Sequence, residues 1–119
     1  MHMMKTIMKK TLALGALFVS LGLVSTAYAQ GSVKILSPAD GAKLDAFEQN
    51  RISYEVVPGP KADHVHLYVD GKEVAILREL KGSHTLETLS PGKHELCVKV
   101  VNKAHVPIGV EQCIKAQVE

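Results

Sequence analysis

The stretch Glu95-Leu96-Cys97-Val98-Lys99-Val100-Val101 decides the fold. Leu96, Val98 and Val100 recur at period two, as on a strand with one face in an apolar core. Val110 to Val118 forms a second strand, in which Glu111, Cys113 and Lys115 lie opposite in parity to Ile114 and Ala116. Both cysteines therefore point to the outer face of one hairpin. Setting Cys97 against Cys113 places Lys99 opposite Glu111 and Glu95 opposite Lys115, and opposite charges directly across a strand pair are favourable. In this register the hairpin tip falls at His105. The cysteine spacing is not C-x-x-C, which argues against a redox pair or a thiolate metal site.

Working outward, the same alternation recurs. Val33-Lys34-Ile35 runs into Ser37-Pro38 and an Asp40-Gly41 turn. Ile52, Tyr54 and Val56 alternate with polar residues before Pro58-Gly59-Pro60. Val65, Leu67 and Val69 alternate with His64, His66, Tyr68 and Asp70. Asp70-Gly71 is a hairpin turn signal, followed by Val74-Ala75-Ile76. Ser83 to Leu89 reads as a further short strand closed by Pro91-Gly92. About seven short strands at roughly 10-residue spacing, with turn chemistry between them, predict an all-β immunoglobulin-like sandwich of antiparallel strands. The only aromatics available to its core are Phe47, Tyr54 and Tyr68.

The sequence preceding this domain has a different character. Lys5, Lys9 and Lys10 precede an apolar run from Leu12 to Val24, and Ala27-Tyr28-Ala29 supplies small residues for cleavage. That is the pattern of a secretory signal peptide over residues 1–29, leaving a domain at 30–119. The run is shorter than the roughly 20 residues of a stable membrane span. Removing three lysines from a net charge of +2 leaves −1, so no basic stripe remains to hold nucleic acid. Size and pattern exclude transmembrane channels, large multidomain enzymes and Rossmann-type nucleotide enzymes. Export implies a periplasmic or secreted location and an oxidised Cys97–Cys113 pair, which would contribute about 3 kcal/mol across a loop of about 15 residues.

Histidine placement carries the functional case. His64 and His66 are i and i+2 on one strand and share a face, roughly 6–7 Å apart at the backbone. In an immunoglobulin topology the loop holding His105, and the segment Lys81-Gly82-Ser83-His84, converge on the same end of the sandwich. Neutral imidazoles suit Cu(II), Zn(II) and Ni(II), and the domain contains no methionine to favour Cu(I). The expected ligands are His64 and His66, then His105, with His84 a fourth candidate; Asp63 could bind through oxygen or orient an imidazole. A solvated strand face would explain H-x-H equally well. His94, at the opposite end, is expected to pack or hydrogen-bond at the corner after Pro91-Gly92.

Signals for catalysis are thin. Ser83-His84 adjacency is not a nucleophile–base pair, no G-x-S-x-G occurs, and no glycine-rich phosphate loop precedes a helix. Stacking platforms are limited to Tyr68.

Ile35-Leu36-Ser37-Pro38-Ala39-Asp40-Gly41-Ala42 resembles the opening strand and turn of bacterial immunoglobulin-like domains, and Leu89-Ser90-Pro91-Gly92-Lys93-His94-Glu95-Leu96 resembles their corner. More narrowly, His64-Val65-His66-Leu67, Gly92-Lys93-His94-Glu95-Leu96 and His105-Val106-Pro107 resemble a family of small exported bacterial proteins of unknown function. That family carries an H-x-H strand, a P-G-x-H-x-L corner and an H-x-P loop. The resemblance spans about residues 33 to 118 and implies a periplasmic immunoglobulin-like domain without an assigned activity. The compact Asp70-Gly71 hairpin and the two cysteines depart from the family pattern.

The expectation is a non-enzymatic, exported binding module that takes one Cu(II) or Zn(II) ion at its loop end. The alternative is a structural or protein-interaction domain whose partner is an envelope protein.

Overall fold

A computed structural model describes residues 30–119; the expected leader over 1–29 lies outside the described residues. Eight strands form two sheets: β1 (Ser32–Ser37), β2 (Ala42–Leu44), β3 (Arg51–Val57), β4 (His64–Val69), β5 (Lys72–Leu77), β6 (Lys81–Thr85), β7 (Gly92–Val101) and β8 (Pro107–Val118). One sheet has the order β1-β3-β6 and the other β2-β8-β7-β4-β5. The all-β sandwich expected from the alternation is present. The strand beyond the expected seven is β2, which pairs parallel with β8. Asp40 prepares that pairing by accepting the Lys115 N–H at 2.8 Å, while the Gly41 N–H donates to the Lys115 carbonyl at 2.7 Å. No helix long and apolar enough to cross a membrane occurs among the described residues.

The core lies between the sheets. Ile35, Ile52, Tyr54 and Val56 face Val65, Leu67, Leu96, Val98, Val100, Ile114 and Val118, with Leu86 and Leu89 closing the end below β6. The Tyr54 hydroxyl donates to the Glu79 carbonyl at 2.8 Å, satisfying the one polar atom this aromatic brings inward. Phe47 departs from expectation: it is 97% exposed. Its loop is curled away from the sheets, with the Asp45 carboxylate accepting the Phe47 N–H at 2.7 Å and the Asn50 amide donating to the Asp45 carbonyl at 3.0 Å. Tyr68 is also outside the core, on the outer face of β4 beneath the Lys99 ammonium, 4.7 Å from its ring centroid.

The β7–β8 hairpin has the register expected from charge. Cys97 opposes Cys113, Lys99 opposes Glu111 and Glu95 opposes Lys115. The two cysteines form a disulfide, and the Lys99 ammonium lies 3.8 Å from the Glu111 carboxylate. Asp70 and Gly71 both have positive φ, 52° and 83°, the two-residue turn that the strand twist favours in hairpin β4–β5.

Asp70 does a second job. Its carboxylate accepts the Glu95 N–H at 2.8 Å and faces His94 Nδ1 at 2.6 Å, while His94 Nε2 lies 2.7 Å from the Ser90 carbonyl. Both imidazole nitrogens therefore face acceptors. The bonds to Asp70 and Ser90 raise the His94 pKa, and the Glu95 N–H, aided by His94, lowers that of Asp70. His94 serves the corner of the fold, as expected.

Two outcomes follow for stability. Replacing both cysteines by alanine should lower unfolding free energy by about 3 kcal/mol in denaturant titrations, the chain-entropy value for a loop of this size. A raised His94 pKa stabilises fully below the ordinary value of 6.5 and fades as pH rises through the folded value. A lowered Asp70 pKa stabilises above the ordinary 3.8 and fades as pH falls through the folded value. The pair is therefore strongest between about pH 4 and 6.5. The melting-temperature difference between wild type and His94→Gln should peak near pH 5.5 and shrink by pH 8.5; equal differences at both would contradict it.

Candidate metal centre

β4 separates two environments. Val65 and Leu67 point into the core, so His64, His66 and Tyr68 point to the outer face of the five-stranded sheet. An outward residue in mid-sheet would ordinarily be solvated, yet His66 is 0% exposed. The rings of His64 and His105 lie against it, with centroids 4.7 and 5.2 Å away, and Tyr68 stands at 6.2 Å. Its cross-strand neighbours are Ile76 on β5 and Lys99 on β7.

His105 arrives from the β7–β8 turn. Asn102 organises that turn: its side-chain oxygen accepts the Ala104 and Val106 N–H groups at 2.9 and 3.1 Å, and its carbonyl accepts the His105 N–H at 2.9 Å. The Asn102 N–H in turn donates to the Val106 carbonyl at 3.0 Å. His105 adopts φ 65°, a left-handed conformation that non-glycine residues enter at a cost. The ring thereby folds back over β4.

Three imidazole nitrogens converge. His64 Nε2 lies 2.8 Å from His66 Nε2 and 3.1 Å from His105 Nδ1, and the latter lies 3.2 Å from His66 Nε2. Three nitrogens this close cannot all direct hydrogens at one another; the space between them accepts one proton or one cation. At the 2.0–2.1 Å bonds usual for imidazole on Zn(II), such separations correspond to N–metal–N angles of roughly 85–105°. A tripod of that shape leaves coordination positions open on one side.

The far nitrogens of the two strand histidines meet carboxylates. His64 Nδ1 is 2.9 Å from Asp63 Oδ1, an interaction that directs Nε2 inward. His66 Nδ1 is 3.3 Å from Glu73 Oε1 without hydrogen-bonding geometry, and it is the buried side-chain polar atom left without a partner among the described residues. Glu73 reaches this position because β5 shifts register against β4 between Leu67 and Tyr68. Burial lowers the His66 pKa, with repulsion from His64 and His105 adding to the effect and Glu73 opposing it. The neutral ring, which carries the lone pair a metal needs, is favoured.

His84, expected as a fourth candidate, does not join this group. It lies on β6 in the other sheet, opposite Ile52. The segment from Lys81 is the strand itself, not a loop preceding it, so His84 stands three residues, about 10 Å, down from the rim. There it borders an apolar cavity with Leu67, Val69 and Leu86. Glu73 and Asn102 were not anticipated; the first depends on a bulge with no local sequence signal, the second on a turn whose Asn signals a bend but not its consequence. The Cys97 and Cys113 sulfurs approach Glu95, but both are in the disulfide.

No protein-family model matches the chain, and no curated protein sequence matches it. Among solved structures, the chain is similar to the fibronectin(III)-like modules of Clostridium thermocellum CbhA, with 21% identity over 73% of this chain and 95% of that one, at a TM-score of 0.58. An engineered protein is similar at 20% identity and a TM-score of 0.53, covering 76% of this chain but 20% of that one. At such identities the likeness is one of fold: a small immunoglobulin-like, fibronectin(III)-like sandwich.

Proposed function

We propose that the protein is an exported, non-catalytic binding module that holds one Cu(II) or Zn(II) ion through His64, His66 and His105, and that it belongs with the small exported immunoglobulin-like proteins whose H-x-H, P-G-x-H-x-L and H-x-P motifs it carries. The convergence of three imidazole nitrogens within 3.2 Å supports this reading. A solvated histidine face has no reason to bury one ring completely or to aim three lone pairs at one point. Asp63 and Glu73 offset part of the charge of a divalent ion, and Asp63 orients the His64 ring. The disulfide suits the oxidising periplasm or exterior. Buffering, delivery or sensing of the ion is the role we assign to this site.

The alternative, a domain that contacts an envelope protein, draws on Phe47, whose nearly complete exposure on a hydrogen-bonded loop presents an aromatic anchor.

Calorimetric titration of the oxidised protein with Cu(II) and Zn(II) tests the metal reading. One ion should bind per chain. His64→Ala and His66→Ala should each abolish stoichiometric binding, His105→Ala should weaken it, and His84→Ala should leave it unchanged. Weak, multi-site binding indifferent to these substitutions would leave the interaction domain. Asp63→Asn and Glu73→Gln, which keep the ligands but alter what holds them, should each cost about tenfold in affinity.

A further inference from the structure

Beside the three histidines lies a cavity of about 330 Å³ lined by Asp63, His64, Ile76, Leu77, Arg78 and His105. It touches the two more accessible histidines and not His66, which is closed over. The open side of the tripod therefore lies where His64 and His105 border this cavity. Its apolar part comes mainly from Ile76, which is exposed, whereas Leu77 belongs to the core. Its cation is Arg78, which forms no ion pair among the described residues and stands exposed at the end of β5. The opposing charge, Asp63, is engaged with His64 Nδ1 at 2.9 Å.

Resting on the metal reading above, we infer that the cavity takes a small organic carboxylate, whose charge is shared between the bound ion and the Arg78 guanidinium and whose carbon chain lies on Ile76. Three considerations select this class. A divalent ion on three neutral imidazoles keeps positive charge and open coordination positions. A guanidinium offers a planar donor fork that matches a carboxylate. The exposed Ile76 side chain favours a carbon skeleton over a fully hydrated inorganic oxyanion. The volume is at the low end for ligand pockets, enough for a few heavy atoms. The ion would then be held as a ternary complex.

The test uses the purified, oxidised protein in two stages. Copper and zinc uptake are measured first; the absence of both overturns the metal reading, and the absence of copper uptake overturns this inference. Butyrate is then titrated into the copper-loaded protein, following the visible d–d absorption and, separately, the heat of binding. A saturable spectral change is expected, at least about tenfold weaker in Arg78→Gln because a charge-assisted hydrogen bond is lost. Arg78→Lys, which keeps the charge without the fork, should fall between the two. Copper affinity of both variants should match wild type, since Arg78 holds no ligand. The inference is overturned by copper binding without a saturable butyrate response, by equal butyrate affinity in wild type and Arg78→Gln, by equal affinity for the copper-free protein, or by inorganic phosphate binding as tightly as butyrate.

Discussion

The register of the β7–β8 hairpin is the constraint on which the rest depends. Side chains alternate with period two, so a slip of one residue would turn Leu96, Val98 and Val100 outward and bring Cys97 and Lys99 into the core. The Cys97–Cys113 disulfide forbids that slip covalently, and Lys99 with Glu111 opposes it electrostatically. The same register determines where the hairpin must turn. Asn102 then closes the chain through its own side chain and backbone, and His105 is delivered above the start of β4. A bond near the middle of the hairpin thus positions an imidazole at its tip.

β4 is the second half of the arrangement. Pairing with β7 along its whole length, from His64 opposite Val101 to Val69 opposite Leu96, places its apolar residues in the core and its histidines outside. What makes the outer face a site is the cover it receives. The turn folds over His66 from one side, and the bulge in β5 brings Glu73 beneath it from the other. Desolvation then does chemical work, because a buried imidazole resists protonation and keeps its lone pair. Tyr68 and Lys99 continue the outer face toward the disulfide.

Much of this was legible in the residues because it depends on local periodicity. Alternation identified the strands, charge complementarity set the hairpin register, and H-x-H announced two rings on one face. What could not be read depends on contacts distant in sequence. Lys81-Gly82-Ser83 has the composition of a loop, yet it is strand because Gly82 pairs with Tyr54 and Ser83 with Ser53 on β3; that pairing moves His84 from the rim into the other sheet. Phe47 has the composition of a core residue, but Asp45 and Asn50 bend its loop outward through side-chain hydrogen bonds. Glu73 enters through a bulge, and a bulge is a property of two strands together.

The five histidines of residues 30–119 are used in different physical ways. At one end, His94 sits between the Asp70 carboxylate and the Ser90 carbonyl, so both nitrogens meet acceptors and its protonated form is stabilised. At the other, His66 is buried among imidazoles and its neutral form is stabilised. The same side chain thus closes a corner with its protons and opens a site with its lone pair. The difference lies in what the backbone places opposite it: acceptors favour the cation, whereas two further imidazoles favour a neutral ring facing a space that a cation can fill. Concentrating the second arrangement at one rim leaves the core and the far corner to maintain the fold.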